Sequence, residues 1–176
     1  MDKKKILLLV VVIVLGLFLY LGYGVISKSL EKNAAIARIR TIPEFNLLRI
    51  NNNQFEKKDL KKGMPTVFLY FGSECNFCQH EAQSIRDTID AFNNIQLVFI
   101  STEPVEKCKV FSEKHKLQGK DNIIFLSDHK GYFAHVLNVS FIPFTIIYDK
   151  NQHLIGTHKG QLNAKSILRI INNSIN

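Results

Sequence analysis

The chain predicts an α/β domain, a mixed central sheet flanked by helices, preceded by one N-terminal membrane-spanning helix. Three observations predict it. From Thr66 to Leu126, β-rich runs alternate with helical ones, and that order requires parallel strands. Shorter runs separated by turn formers stand before Gly63 and after Pro143, which adds hairpins to the sheet. Ahead of all of them, Ile6 to Ile26 carries no charged side chain, and a helix of about 20 residues crosses the hydrocarbon layer.

The N-terminal elements come first. Tyr20 and Tyr23 stand near the far end of the apolar run, where amphipathic rings favour the interface, and Lys3, Lys4 and Lys5 precede it. The positive-inside tendency then puts residues 1–5 in the cytoplasm, residues 6–26 in the inner membrane and everything after on the periplasmic or extracytoplasmic side. Lys28, Lys32, Arg38 and Arg40 pull the other way, but the three consecutive lysines lie closer to the apolar segment. A cleaved signal peptide is the competing reading. Its apolar region is typically about 7–15 residues, shorter than this run, and Gly22-Tyr23-Gly24 is a poor cleavage site. Residues 27–43 read as a stalk, a short charged helix with Ile36 and Ile39 on one side, ended by Pro43.

The domain is expected over residues 44–176. Phe45 to Ile50 reads as a strand entering the turn Asn51-Asn52-Asn53, and Phe55 to Leu60 as a second short strand and helical turn. Thr66-Val67-Phe68-Leu69-Tyr70-Phe71 is continuously apolar and bounded by Pro65 and Gly72, as a central strand buried on both faces should be. A helix from Asn76 to Phe92 follows, with Ala82, Ile85, Ile89 and Phe92 at helical spacing. Gln96 to Ser101 is a strand, Pro104 to Leu117 a helix with Pro104 in its first turn, and Asn122 to Leu126 a strand. Tyr132 to Leu137 gives a short helix, Phe144 to Tyr148 and Leu154 to His158 a hairpin, and Ala164 to Ile171 the last helix.

Charge and cysteine usage exclude several function classes. The net charge is +8, but residues 1–40 hold seven of the Lys/Arg and two of the Asp/Glu, so only +3 falls on the remainder. With that little charge and no basic helix face, nucleic acid is not expected as a partner. There is no Gly-rich phosphate loop and no internal repeat. Three cysteines make no disulfide framework of the kind that staples small secreted domains; they leave one close pair and Cys108 as a spectator.

The close pair carries the chemistry. Cys75-Asn76-Phe77-Cys78 falls where the buried strand ends and the next helix begins. A thiol there faces unpaired backbone N–H groups and the positive end of the helix dipole, which favour thiolate, so Cys75 is the expected nucleophile. Cys78, one helical turn on, can attack a mixed disulfide formed at Cys75 and is the expected resolving thiol. The alternatives are half of a zinc site or two unrelated buried cysteines. Zinc needs more ligands, and the sequence offers no second CxxC and no closely spaced histidine pair.

Here the chain resembles the thioredoxin superfamily, and within it the membrane-anchored TlpA/ResA-like thiol-disulfide oxidoreductases, over about residues 44–176. The matching features are the lead-in Phe55-Glu56-Lys57-Lys58-Asp59-Leu60-Lys61-Lys62-Gly63, the strand before CxxC, Cys78-Gln79-His80-Glu81, and Ile142-Pro143 before a strand. The resemblance implies a thioredoxin-like fold and thiol-disulfide exchange with protein thiols or disulfides, more in the sense of a reductase. A membrane or extracytoplasmic electron donor would supply it, with no metal and no cofactor. It implies a redox-active Cys75–Cys78 disulfide. It also implies a cis Pro143 packed beside the pair, with Ile142 offering backbone hydrogen bonds to an extended substrate. A trans proline opening a strand is the plain alternative. Glu81 matches an acidic residue of the anchored family thought to assist proton movement; a partly buried carboxylate there could take the proton of Cys78, and a solvated first-turn glutamate is the other reading. The chain departs from the family in three places. Glu74 stands where Trp usually precedes the first cysteine, Asn76-Phe77 lacks the usual proline, and Leu69 replaces thioredoxin's acidic residue.

Among the remaining side chains, His80 could tune the thiols or sit on the surface, and His115, His129 and His135 read as surface residues. Two other functions compete. A peroxiredoxin-like peroxidase would carry Pro-x-x-x-Thr-x-x-Cys, but Gly72 stands at the threonine position. A copper- or haem-delivery module would bind without turnover, with His135 or His158 completing a Cu(I) site.

Overall fold

The computed structural model describes residues 12–17, 19–21, 23 and 36–174. The span expected at 6–26 falls mostly outside them, as do the tail 1–5 and much of the stalk. Within the span, 12–17, 19–21 and 23 are helical and exposed, and among the described residues no helix is long and apolar enough to cross a membrane.

Seven strands form one mixed sheet: β1 (Asn46–Arg49), β2 (Gln54–Glu56), β3 (Thr66–Tyr70), β4 (Gln96–Ser101), β5 (Ile123–Ser127), β6 (Phe144–Tyr148) and β7 (Leu154–Lys159). Their order is β2-β1-β5-β4-β3-β6-β7. The β3-β4-β5 core is parallel, joined by α1 (Asn76–Asp87) and α2 (Val105–Lys114), because parallel neighbours need a crossover. The outer pairs are antiparallel. Two further helices, α3 (Tyr132–Val136) and α4 (Ala164–Asn173), complete the domain. β3 is interior and fully buried, as its apolar run demands, but β4 takes the middle of the sheet: the hairpin β1-β2 joins β5 and widens that side.

Alternation along β3 divides the core. Val67 and Leu69 join Ala82, Ile85, Phe99, Phe111 and Ile167 on one face; Phe68 and Tyr70 join Phe45, Ile100, Phe133 and Tyr148 on the other. Each fully buried side chain of this kind contributes about 1.5–3 kcal/mol relative to an exposed one. Aromatic pairs cement both faces, with Phe99 stacked on Phe125 at 4.7 Å and Phe133 tilted on Phe45 at 4.8 Å.

Three sequence boundaries shift. The compact unit starts at Arg38 rather than at residue 44. The end of the expected stalk is core: Ile39 and Ile42 are buried against the β6 side, and the backbone of Arg40 and Ile42 bonds to Leu154 and Gln152. The Asn76 helix breaks at Thr88, whose hydroxyl donates to the Ser84 carbonyl; a 3-10 turn over Ile89–Phe92 then keeps Phe92 in the core. Pro104 stands before α2 as its extended N-cap, not in the first turn, and its carbonyl accepts from Lys107 and Cys108.

Candidate active site

The parallel strands β3, β4 and β5 all point their carboxyl ends to one edge, where open α/β sheets gather their sites. At that edge β3 leaves the sheet through Gly72-Ser73-Glu74-Cys75, closed by the Cys75 N–H donating to the Gly72 carbonyl at 3.2 Å. Cys75 is the N-cap of α1: its backbone is extended, and its sulfur accepts the Cys78 N–H at 3.3 Å. Cys75 is half-buried and Cys78 buried, so the first thiol faces outward and the second inward. Burial pushes the Cys78 thiol well above its ordinary range, and its hydrogen bond to Cys75 adds to the effect. The charge of Glu81 acts in the same direction.

Glu81 lies one turn beyond Cys78 and is 4% exposed, which removes the solvated first-turn reading. Its Oε1 accepts from the Thr145 hydroxyl at 3.2 Å and from the Leu162 N–H at 3.1 Å. Burial pushes its pKa up to about 7, against the opposing pull of those two hydrogen bonds. A carboxyl that titrates near neutrality can exchange a proton with a neighbouring thiol.

Antiparallel pairing of Tyr70 with Phe144 carries the segment before β6 to the same edge. The Ile142–Pro143 peptide there is cis, the isomer the resemblance implied. Gly72 lets the two segments approach closely: a Cβ on it would stand 2.7 Å from Ile142 Cδ1, the tip of a flexible, exposed side chain that would have to shift. Phe77, Phe141 and Ile142 leave apolar surface exposed around the pair. A cleft of about 310 Å³, lined by Tyr70, Phe71, Gly72, Glu103, Phe141 and Ile142, opens beside them. The larger cleft of about 630 Å³, by Arg49, Lys61 and Lys120, contains neither cysteine.

Three site residues were not singled out by the sequence: Thr145, Leu162 and Glu103. Thr145 and Leu162 reach Glu81 only through tertiary contacts. Glu103 had a signal, because an acidic residue two positions after the fully buried β4 sits at the carboxyl edge of a parallel strand. Its carboxylate accepts from the Ser73 N–H at 2.7 Å, the Ser73 hydroxyl at 2.8 Å and the Ser101 hydroxyl at 3.2 Å. Partial burial pushes Glu103 up, but the Ser73 and Ser101 bonds and the Lys107 ammonium outweigh it and hold the carboxyl below its ordinary range.

The other candidates lie apart from this chemistry. His80, His129 and His135 are exposed. His115 corrects the surface reading: it is buried, its ring tilted on Phe111 at 4.4 Å, and burial foremost pushes its pKa down. Cys108 is fully buried, its thiol donating to the Leu126 carbonyl at 3.7 Å, and burial pushes its pKa up to about 12. Among the described residues no three His, Cys, Asp or Glu side chains are grouped to hold a metal ion.

Comparison with known proteins agrees with this architecture. The chain is 24% identical over 174 residues to the thiol-disulfide oxidoreductase ResA of Geobacillus kaustophilus, covering 96% of each. A secreted disulfide oxidoreductase of Mycobacterium tuberculosis, homologous to E. coli DsbE, shares the fold with a TM-score of 0.64 at 20% identity, over 78% of this chain and 98% of that one. Peroxidoxin BcpB of Mycobacterium tuberculosis shares it with a TM-score of 0.65 at 21% identity, over 76% and 94%. Residues 40–161 match the AhpC/TSA family, and the chain belongs to that family as a thioredoxin-like oxidoreductase.

Proposed function

We propose that the chain exchanges thiols for disulfides with protein substrates outside the cytoplasm, working mainly as a reductase, with Cys75 as nucleophile and Cys78 as resolving thiol. The observation that carries it is the pair itself: an outward half-buried Cys75 at a helix N-cap, with a buried Cys78 one turn behind. The apolar run Ile6–Ile26 supports a membrane anchor and the extracytoplasmic side. Similarity to a thiol-disulfide oxidoreductase supports the exchange itself, and the reducing direction follows only from the resemblance to the membrane-anchored TlpA/ResA-like group.

The steps balance within the pair. The Cys75 thiolate attacks a substrate disulfide, forms a mixed disulfide and releases one substrate thiolate. Cys78 loses its proton to Glu81, attacks the Cys75 sulfur, and releases the second substrate sulfur as the Cys75–Cys78 disulfide forms. Two electrons have passed to the substrate, and a dithiol donor must restore the pair. Phe77, Phe141 and Ile142 offer apolar contact to a partly unfolded client, and the backbone of Ile142 offers it a hydrogen-bonding edge. The peroxidase reading has no comparable support at the site, because Gly72 stands where that chemistry would place a threonine.

Cys78→Ser removes the resolving step and should accumulate mixed disulfides through Cys75 in cells, visible as adducts lost on reduction. Their absence, with the variant folded and present in normal amount, would sink the exchange reading.

A further inference from the structure

Beyond the two cysteines, the turn that delivers Cys75 has its own anchor, and the anchor is a carboxylate. Glu103 Oε2 takes the Ser73 N–H and its Oε1 takes the Ser73 hydroxyl, so one side chain holds both donors of one turn residue. Bonds to an ionised acceptor at 2.7–2.8 Å are the short, strong kind. Glu103 is itself fixed. Its N–H donates to the Ser101 hydroxyl at 3.2 Å, and its carbonyl accepts the Ser127 hydroxyl at 2.7 Å. Ser101 and Ser127 are register partners at the ends of β4 and β5. The remaining polar group of Ser73, its carbonyl, accepts from Gln79 Nε2 of α1 at 3.0 Å. Ser73 therefore ties the sheet edge to the helix, two residues ahead of the nucleophile.

We propose that Glu103 is a positioning residue for exchange: its carboxylate clamps the Gly72–Cys75 turn to β4 and β5 and so fixes the Cys75 sulfur against the Cys78 N–H in the first turn of α1. The inference rests on the reading of Cys75 as nucleophile. It also separates two effects of the same group. As a clamp Glu103 favours a reactive Cys75; as a negative charge it opposes one, and Lys107 Nζ at 3.5 Å from Glu103 and 3.3 Å from Glu74 offsets that charge.

The test uses the full chain with Cys78→Ser and Cys108→Ser, so that Cys75 alone reacts with iodoacetamide, across a pH series. Glu103→Ala should slow alkylation at pH 7 about five- to tenfold and move the rate–pH profile to higher pH. Glu103→Gln keeps an oxygen for the Ser73 N–H and should recover most of the rate. Ser73→Ala, which loses only the hydroxyl, should fall between them, and it carries the test if Glu103→Ala does not fold. An unmoved profile in Glu103→Ala overturns the clamp, and so does an equal acceleration in both Glu103 variants, which would make the charge the dominant effect. A parent Cys75 that alkylates normally but never forms mixed disulfides with proteins would overturn the exchange reading and leave the clamp intact.

Discussion

The CxxC pair has two sides, each with a glutamate, and the two are built in opposite ways. Behind Cys78, Glu81 is buried with two hydrogen bonds, and burial wins: its carboxyl is pushed up to about 7. In front of Cys75, Glu103 is only partly buried with three, and the bonds win: its carboxyl is held below the ordinary range. The difference teaches that hydrogen bonding alone does not decide a carboxylate's role; the balance with desolvation does. A group near 7 can pass a proton at working pH, whereas one held ionised can only anchor.

The contrast breaks most visibly at Glu81. Glu81→Gln keeps the shape and an acceptor oxygen but no exchangeable acid. Resolution of the mixed disulfide by Cys78 should slow about 100-fold at pH 7, at the lower end of what a positioned acid–base group supplies. Rapid-quench measurement of substrate release checks this; a change below threefold would assign Glu81 a structural role only.

The same substitution has a stability signature with a definite sign. The ordinary value of Glu81 is 4.5 and the folded one about 7, so between those pH values the folded chain holds a proton the unfolded chain has lost. Stability from this group is therefore complete below pH 4.5, falls as pH rises, and is gone above pH 7. Wild type should lose on the order of 3 kcal/mol across that window relative to Glu81→Gln, measured by urea unfolding at both ends. Parallel pH profiles for the two proteins would show that Glu81 is ordinary in the folded state.

How much of this was legible in the sequence follows the same division. The order of strands and helices, the turn into Cys75 and the place of Cys78 are local consequences of apolar period and punctuation, and they stand in the structure much as read. The position of Glu81 on the Cys78 side is also local. Its burial is not, because Thr145 and Leu162 come from β6 and the loop before α4. His115 misled for a similar reason: a histidine after a polar helix reads as surface until Phe111 is seen beneath it. Ile39 and Ile42 looked like stalk because nothing in the sequence announces that the segment returns to pair beside β7.

Thr145 sharpens the comparison from the buried side. Its hydroxyl is the smaller of the two pulls that keep Glu81 from rising further. Thr145→Val removes that donor at nearly constant volume. A hydrogen bond to a charged group is worth about 1.5–3 kcal/mol, so the Glu81 midpoint should rise by roughly 1–2 units. The pH dependence of the Cys78 resolution step, or the carboxyl carbon shift of Glu81, reports it. A midpoint that stays in place would leave the Leu162 N–H as the sole bond that matters.

Lys107 gives the smallest effect and tests the front side alone. It sits between Glu74 and Glu103, but half of its side chain is exposed and so is nearly all of Glu74, and ion pairs of that kind are screened by water and salt. If Glu103 works by holding Ser73 rather than by its net charge, removing the lysine leaves both Ser73 bonds in place. Lys107→Ala should then change Cys75 alkylation less than about twofold, with the small change fading as salt is raised. A larger, salt-resistant change would mean that Lys107 helps orient the carboxylate itself, and the clamp would have to be redrawn as a three-residue unit of Ser73, Glu103 and Lys107.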